Sequence, residues 1–343
     1  MLQSERVSLI LTGRRAAVPL NPYLSLQLDS LAQGMTLLGP VARTALGDLR
    51  AEAELRALAV RLGAPPEVPE EEKVKDAREA LKIARSALLS LALLESGNSP
   101  GNEALGGLRP EAVRSLLRGL ARRLGEKLRQ GLRERIWGLY VIIDPELTQG
   151  REPLEVARAA IRGGARVLQL RDKAHDKGDT LPLARSLKAL CERHQVIFIV
   201  NDHADLARTV EADGLHVGQH DLPIEGARLS LEPGQLIGRS NATVDEALES
   251  QEQGADYIAV GTIYSTSTKD KTRPAGLETL RRLRAVVKTP LVAIGGINHD
   301  NVGAVVEAGA DAISVISAVS LAPDPEEAAR SLVERIRAAG GRA

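Results

Sequence analysis

The chain has 343 residues, with 45 Lys and Arg balancing 45 Asp and Glu, so a polyanion-binding protein with a dominant global positive field is excluded. Apolar residues at 43% suffice for a sizeable core, and mixed-sign charges at 26% exclude wholesale disorder. One Trp, four Tyr and one Phe are too few for a base-stacking single-strand reader, and a lone cysteine, Cys191, leaves no disulfide framework or multi-Cys zinc site within one chain.

The opening segment MLQSERVSLILTGRR has an acidic residue before its short apolar run and arginines after it, the wrong order for a signal peptide. VSLIL reads as a short strand, and the rest of residues 1–35 has no clear element. The longest apolar stretch, Ala87–Leu94, contains Ser90 and falls far below the ~20 residues of a spanning helix. The expectation is a soluble cytoplasmic protein with neither a membrane nor a nucleic acid as partner. Ala77–Leu94 has helical apolar spacing. In Pro110–Ile136 a stripe runs through Val113, Leu116, Leu117, Leu120, Leu124, Leu128 and Leu132, with Pro110 and Glu111 suited to its first turn. Loops lie at Gly63–Glu72 and in SGNSPGNEALGG. Residues 1–135 therefore read as a mainly helical accessory domain. Residues 1–136 hold 21 basic and 16 acidic residues. Much of the excess lies on the last helix, at Arg114, Arg118, Arg122, Arg123, Lys127, Arg129, Arg133 and Arg135. It reads either as a basic face for an anionic partner or as the ordinary solvated face of a packed helix.

From Trp137 the rhythm changes to regular alternation. Strands are predicted in WGLYVIID, ARVLQLRD, VIFIVND, DGLHVG, LIGRS, DYIAVGTIY, PLVAIGGI and DAISVIS, each followed by a helical segment. Eight such units over residues 136–343 imply an α/β fold of the (β/α)8 TIM-barrel class, closed rather than doubly wound.

Chemistry in such a barrel sits at the C-terminal strand ends. Those ends carry Gln169, Arg171, Asp172 and Lys173, then Asn201 and Asp202, then His216, Gln219 and Asp221. Ser240 follows on the fifth strand, and a long loop after the sixth holds Thr266, Thr268, Lys269, Lys271 and Arg273. Gly295-Gly296 and Ser317 end the last two strands. Arg171, Lys173 and Lys269, from different strands, suit a phosphorylated or diphosphorylated substrate. Asp202 and Asp221, with no Cys or His cluster, suit Mg2+, a hard ion that takes oxygen ligands and substrate phosphates. The late glycines and Ser317 match a second phosphate site. Asp172 and Asp202 could instead be helix caps, His203 and His216 read as capping or packed histidines, and Cys191 as structural.

The segments LQLRDK (Leu168–Lys173), FIVNDHADLA (Phe198–Ala207), DGLHVGQHDLP (Asp213–Pro223), GADYIAVGTIYSTSTK (Gly254–Lys269), VAIGGI (Val292–Ile297) and AGADAISVISA (Ala308–Ala318) resemble the thiamine phosphate synthase family in order and spacing. The resemblance covers about residues 137–343. It implies two phosphorylated small-molecule substrates: 4-amino-2-methyl-5-hydroxymethylpyrimidine diphosphate and a hydroxyethylthiazole phosphate. It implies that Gln169, Arg171, Lys173, Asn201, Ser240 and Lys269 hold the pyrimidine diphosphate, with Arg171 and Lys269 as the catalytic cations. Asp202 and Asp221 would bind Mg2+, and Thr266, Thr268, Gly296, Ile316 and Ser317 would hold the thiazole phosphate. The implied mechanism is dissociative, with charge stabilisation in place of a nucleophile or base.

Three positions depart from the family pattern: Ala242 stands where His is usual, Thr262 where Pro is usual after Gly261, and Ser265 where Pro is usual. Two other readings are a thiazole tautomerase-like paralogue, which needs no diphosphate or Mg2+ site, and a non-catalytic regulator using the basic helix. The first half carries no such motif, which leaves homo-oligomer formation, stabilisation and regulation open as its role.

Overall fold

The computed structural model describes residues 22–64, 74, 76–96, 109–265 and 275–343. The predicted strand VSLIL, residues 65–72 and residues 97–107 of the two predicted loops, and Thr266, Thr268, Lys269, Lys271 and Arg273 lie outside them. The chain divides into two compact units between Leu128 and Arg129.

The first unit contains α1 (Pro22–Leu46), α2 (Leu49–Arg61), α3 (Ala77–Ser96) and most of α4 (Pro110–Arg133). Leu28, Leu31, Met35, Leu38 and Ala42 recur at spacings of three and four along α1 and are buried, with α1 packed on both α2 and α3. Gly34 permits close approach: a Cβ there would lie 3.2 Å from Ala87 Cβ. Asp48 caps α2 by accepting from the Ala51 N–H at 2.9 Å, and it also pairs with Arg123. Val113, Leu117, Leu120 and Leu124 of the predicted stripe join this core. Several cations of α4 have internal partners: Arg114 with Glu95, Arg122 with Glu126, and Lys127 with the Ala45 carbonyl at 2.6 Å. These three cations are thus engaged within the helical unit. No described helix is long and apolar enough to cross a membrane.

The second unit is a closed parallel barrel, in the strand order of the sequence. Its elements are β1 (Gly138–Ile143), α5 (Pro153–Arg162), β2 (Val167–Leu170), α6 (Lys177–His194), β3 (Ile197–Asn201), α7 (Ala204–Thr209), β4 (Gly214–Val217), α8 (Ile224–Ser230) and β5 (Leu236–Asn241). Then come α9 (Val244–Glu252), β6 (Tyr257–Val260), α10 (Gly276–Val286), β7 (Leu291–Ile294), α11 (Val302–Glu307), β8 (Ala312–Val315), α12 (Ser317–Ser320) and α13 (Pro325–Ala338). The (β/α)8 expectation is borne out. Closure is by β1 on β8, with Gly138 opposite Ala312. α12 and a 3-10 turn at Pro145–Leu147 are additions that the apolar pattern does not mark, because each is a single turn.

Alternation along the strands assigns the two faces. Leu139, Val141 and Ile143 of β1, or Ile258 and Val260 of β6, belong to the apolar layer under the helices. Tyr140, Ile142, Gln169, His216, Tyr257 and Ala259 face the bore. At the opposite end from the mouth, one device repeats. Asp213, Asp256 and Asp311 each precede an even-numbered strand, and their carboxylates accept from the N–H groups of Phe198, Ile237 and Leu291 at 2.8–2.9 Å. Arg166 takes that position before β2 and lies over the ring of Trp137 at 4.3 Å, with Arg342 also over the ring at 4.7 Å.

Candidate active site

The C-terminal strand ends open on two adjoining cavities, of about 120 and 320 Å3. Gln169, Arg171, Lys173, Asn201, Asp202 and Asp221 line the smaller. Gly296, Ile316 and Ser317 line the larger, with Ala242 and Thr262 in its wall. Arg171, Ser240 and Ile316 belong to both. Every predicted site residue that is described thus reaches one mouth, while Thr266, Thr268 and Lys269 lie outside the described residues.

Charge is concentrated on the β2–β4 side. Lys173 Nζ stands 3.2 Å from Asp202 Oδ2. Asp202 sits at φ +61°, in the left-handed region that Asp tolerates better than most residues, and its N–H donates to the His216 carbonyl at 2.8 Å. Asp221 accepts from the Gly218 N–H at 2.7 Å. A Cβ on Gly218 would lie 2.9 Å from the same carboxylate oxygen, so glycine is what lets this backbone approach it. Burial raises the Asp202 carboxyl above its ordinary value, and neighbouring Asp221 raises it further against the pull of Lys173. Burial also pushes Asp221 upward, but hydrogen bonds from Asp202 and from the Gly218 N–H outweigh it and hold Asp221 low. The Asp202 carboxyl therefore ionises less readily than that of Asp221.

Among the described residues no group of three or more His, Cys, Asp or Glu side chains could by itself hold a metal ion. The Asp202–Asp221 carboxylate pair is nevertheless a suitable donor set for Mg2+, which commonly takes one or two carboxylates and completes its shell with substrate phosphates and water. Arg171 is oriented by an ion pair with Asp144, a carboxylate at the end of β1 that is buried and also accepts from the Glu146 N–H.

The β6–β8 side is shaped by backbone. Gly295 and Gly296 have φ +104° and +65°, and a Cβ on Gly296 would meet Tyr264 Cβ and the Ser265 carbonyl at 2.8 Å. Asn301 Nδ2 donates to the Gly296 carbonyl at 2.9 Å. Thr262 is buried, and the Gly261–Thr262 peptide is cis.

Asp172 belongs to its own loop, where it accepts from the Ala174 and His175 N–H groups and from Thr180 Oγ1. Its carboxyl is held low: burial opposes this, but His175 and the other donors outweigh it. His203 occupies the N-cap position of α7. Cys191 is buried in α6, and burial pushes its thiol well above the ordinary range. Asp144, Tyr140 and Tyr257 are the residues that reasoning from strand ends passes over. Their signal was a polar atom at an inward position of an otherwise apolar strand, together with a carboxylate immediately after the first strand.

The sequence profile of the family described as "Thiamine monophosphate synthase" matches residues 139–319. The thiamine-phosphate synthase of Moorella thermoacetica is 48% identical over 207 residues, covering 60% of this chain and 99% of the relative. That of Methanospirillum hungatei is 44% identical over 198 residues, covering 57% and 96%. Among solved structures, a thiamine phosphate pyrophosphorylase from Pyrococcus furiosus superposes with a TM-score of 0.57 at 37% identity, covering 61% of this chain and all of the other. With its profile match running through all eight barrel strands and more than half of its length, the chain belongs to the thiamine monophosphate synthase family.

Proposed function

We propose that the barrel joins 4-amino-2-methyl-5-hydroxymethylpyrimidine diphosphate to hydroxyethylthiazole phosphate, forming thiamine phosphate and releasing diphosphate. The observation that carries this reading is one mouth with two unlike sides. The first holds Arg171, Lys173 and the Asp202–Asp221 pair. The second is a roomier cavity bounded by Gly296, Ile316 and Ser317. A thiazole tautomerase-like paralogue would need only the second.

In this reading Gln169, Asn201 and Ser240 hold the pyrimidine, while Arg171 and Lys173 hold its diphosphate, with Lys269 as a further cation. Asp202 and Asp221 would hold Mg2+, which when bound neutralises charge on the diphosphate. Gly296, Ile316 and Ser317, with Thr266 and Thr268, hold the thiazole phosphate. The bond from the pyrimidine's methylene carbon to the diphosphate oxygen breaks with its electron pair leaving on oxygen. The thiazole nitrogen then supplies the pair for the new carbon–nitrogen bond. Arg171, kept in place by Asp144, strengthens its hold as charge grows on the departing group. The remainder is alignment of two bound partners. The test is diphosphate release from both substrates together with Mg2+. No release with both present, or full release in excess chelator, would sink the synthase reading or its metal respectively.

A further inference from the structure

Beneath the mouth, five side chains from five strands form one continuous hydrogen-bonded chain. Gln169 Nε2 donates to Tyr140 Oη at 2.7 Å, and the Tyr140 and Tyr257 hydroxyls are 3.2 Å apart. Tyr257 Oη is 3.1 Å from His216 Nδ1, and His216 Nε2 is 2.9 Å from Ser240 Oγ. Gln169 and both tyrosines are at most 3% exposed. The His216 and Tyr257 rings stack at 5.7 Å. Gly238 makes room for this: a Cβ there would lie 1.9 Å from Tyr257 Cζ. The chain therefore ties Gln169 on β2 to Ser240 on β5 across the bore. Those two residues are the ends proposed above to hold the pyrimidine, so the inference rests on that reading.

Each hydroxyl in the chain has one proton, and the directions of its bonds are linked. When Gln169 gives an N–H to Tyr140, Tyr140 gives its proton to Tyr257. Tyr257 then gives to Nδ1 of His216, and the Nε2–H of His216 gives to Ser240 Oγ. Burial raises both phenols far above their ordinary value, which keeps them neutral donors. In this direction the Gln169 carbonyl oxygen is left as an acceptor for the cavity, and the Ser240 hydroxyl, already accepting, is left as a donor. An aminopyrimidine offers the matching pair, an exocyclic amine to give and a ring nitrogen to receive.

We propose that Tyr140 and Tyr257 are positioning residues that lock the Gln169 amide and the His216 tautomer in one direction, and so select an aminopyrimidine over its oxo analogue. Tyr140→Phe removes the acceptor that holds the amide, leaving it free to present either face. Tyr257→Phe goes further. Among the described residues, the Tyr140 hydroxyl then keeps only Gln169 as a partner, and a buried hydroxyl gives its proton rather than leaving it unsatisfied. The amide must turn its oxygen to Tyr140 and its NH2 to the cavity, which suits an oxo group.

The full chain and the two Phe variants would each be given the 4-amino and 4-oxo pyrimidine diphosphates in competition, with hydroxyethylthiazole phosphate and Mg2+. The product ratio reports relative kcat/KM and does not depend on how much enzyme is folded. The amino preference is expected to fall about tenfold in Tyr140→Phe, the weight of one hydrogen bond. It should fall further in Tyr257→Phe, with the KM for the thiazole phosphate unchanged in both. A ratio equal to wild type in both variants, or no product from either, would overturn the lock and leave the tyrosines as packing. Failure of the wild-type chain to turn over either pyrimidine would instead overturn the synthase reading itself.

Discussion

The two units bury different things. In the helical unit the described core is Leu, Ala, Met and Val, and its one buried polar side chain, Ser90, reaches Ser30 Oγ at 3.3 Å. In the barrel, the bore below the mouth buries Tyr140, Gln169, His216, Tyr257 and Ser314. A buried polar group costs free energy unless it is bonded, and at best returns little when it is. A bore filled with branched aliphatic side chains would serve closure as well. The helical core is accounted for by packing alone, whereas the bore carries polar groups that barrel closure does not require.

That contrast can be broken at several points. The largest effect is expected at the carboxylate pair. Asp202→Asn, which tolerates the left-handed backbone, and Asp221→Asn should each lower diphosphate release by about 10²-fold or more while the melting temperature holds or rises. A melting temperature that fell along with activity would make the pair structural. In the helical unit, Leu38→Ala should cost about 2–5 kcal/mol of that unit's stability in denaturant. Every proposed ligand lies in the other unit, so turnover at low denaturant should change less than about twofold. A parallel loss of turnover would erase the division of labour. Gly238→Ala forces the Tyr257 ring out of its place and should cost about 1–3 kcal/mol, read as a shifted denaturation midpoint together with a lower kcat/KM for the pyrimidine. The smallest effect belongs to Arg122→Ala. Its pair with Glu126 leaves the two side chains 67% and 49% exposed. Stability should move by less than about 0.5 kcal/mol and turnover not at all. A marked loss of turnover would revive the basic face as a functional surface.

The barrel was legible because each strand is a short apolar run between turn residues, and the alternation with helices needs no long-range information. The mouth followed from where such barrels keep their polar residues, which brought Gln169, Arg171, Asp202, Asp221 and Ser317 to one place. The helices α1 and α2 were not legible. Residues 1–35 have no clear apolar period, yet α1 runs through Gly34, which serves a close helix contact, and carries Pro40 inside it. Tyr140 and Tyr257 were passed over because an aromatic residue in an apolar strand looks like core, and only the fold shows which face it takes. Asp144 was missed because the ion pair that gives it meaning joins residues 27 apart.

Trp137, in contact with two guanidinium groups at the end of the barrel opposite the mouth, is the only tryptophan in the chain. Its emission is therefore an optical label already built into the barrel and silent for the helical unit. The ring contacts both Arg166, just before β2, and Arg342, next to the last residue, so the label reports on the place where the start of β1 meets the start of β2 and the C-terminal residues. Recording fluorescence and far-ultraviolet ellipticity in the same melt would separate the opening of that end of the barrel from the loss of bundle helices without any added dye.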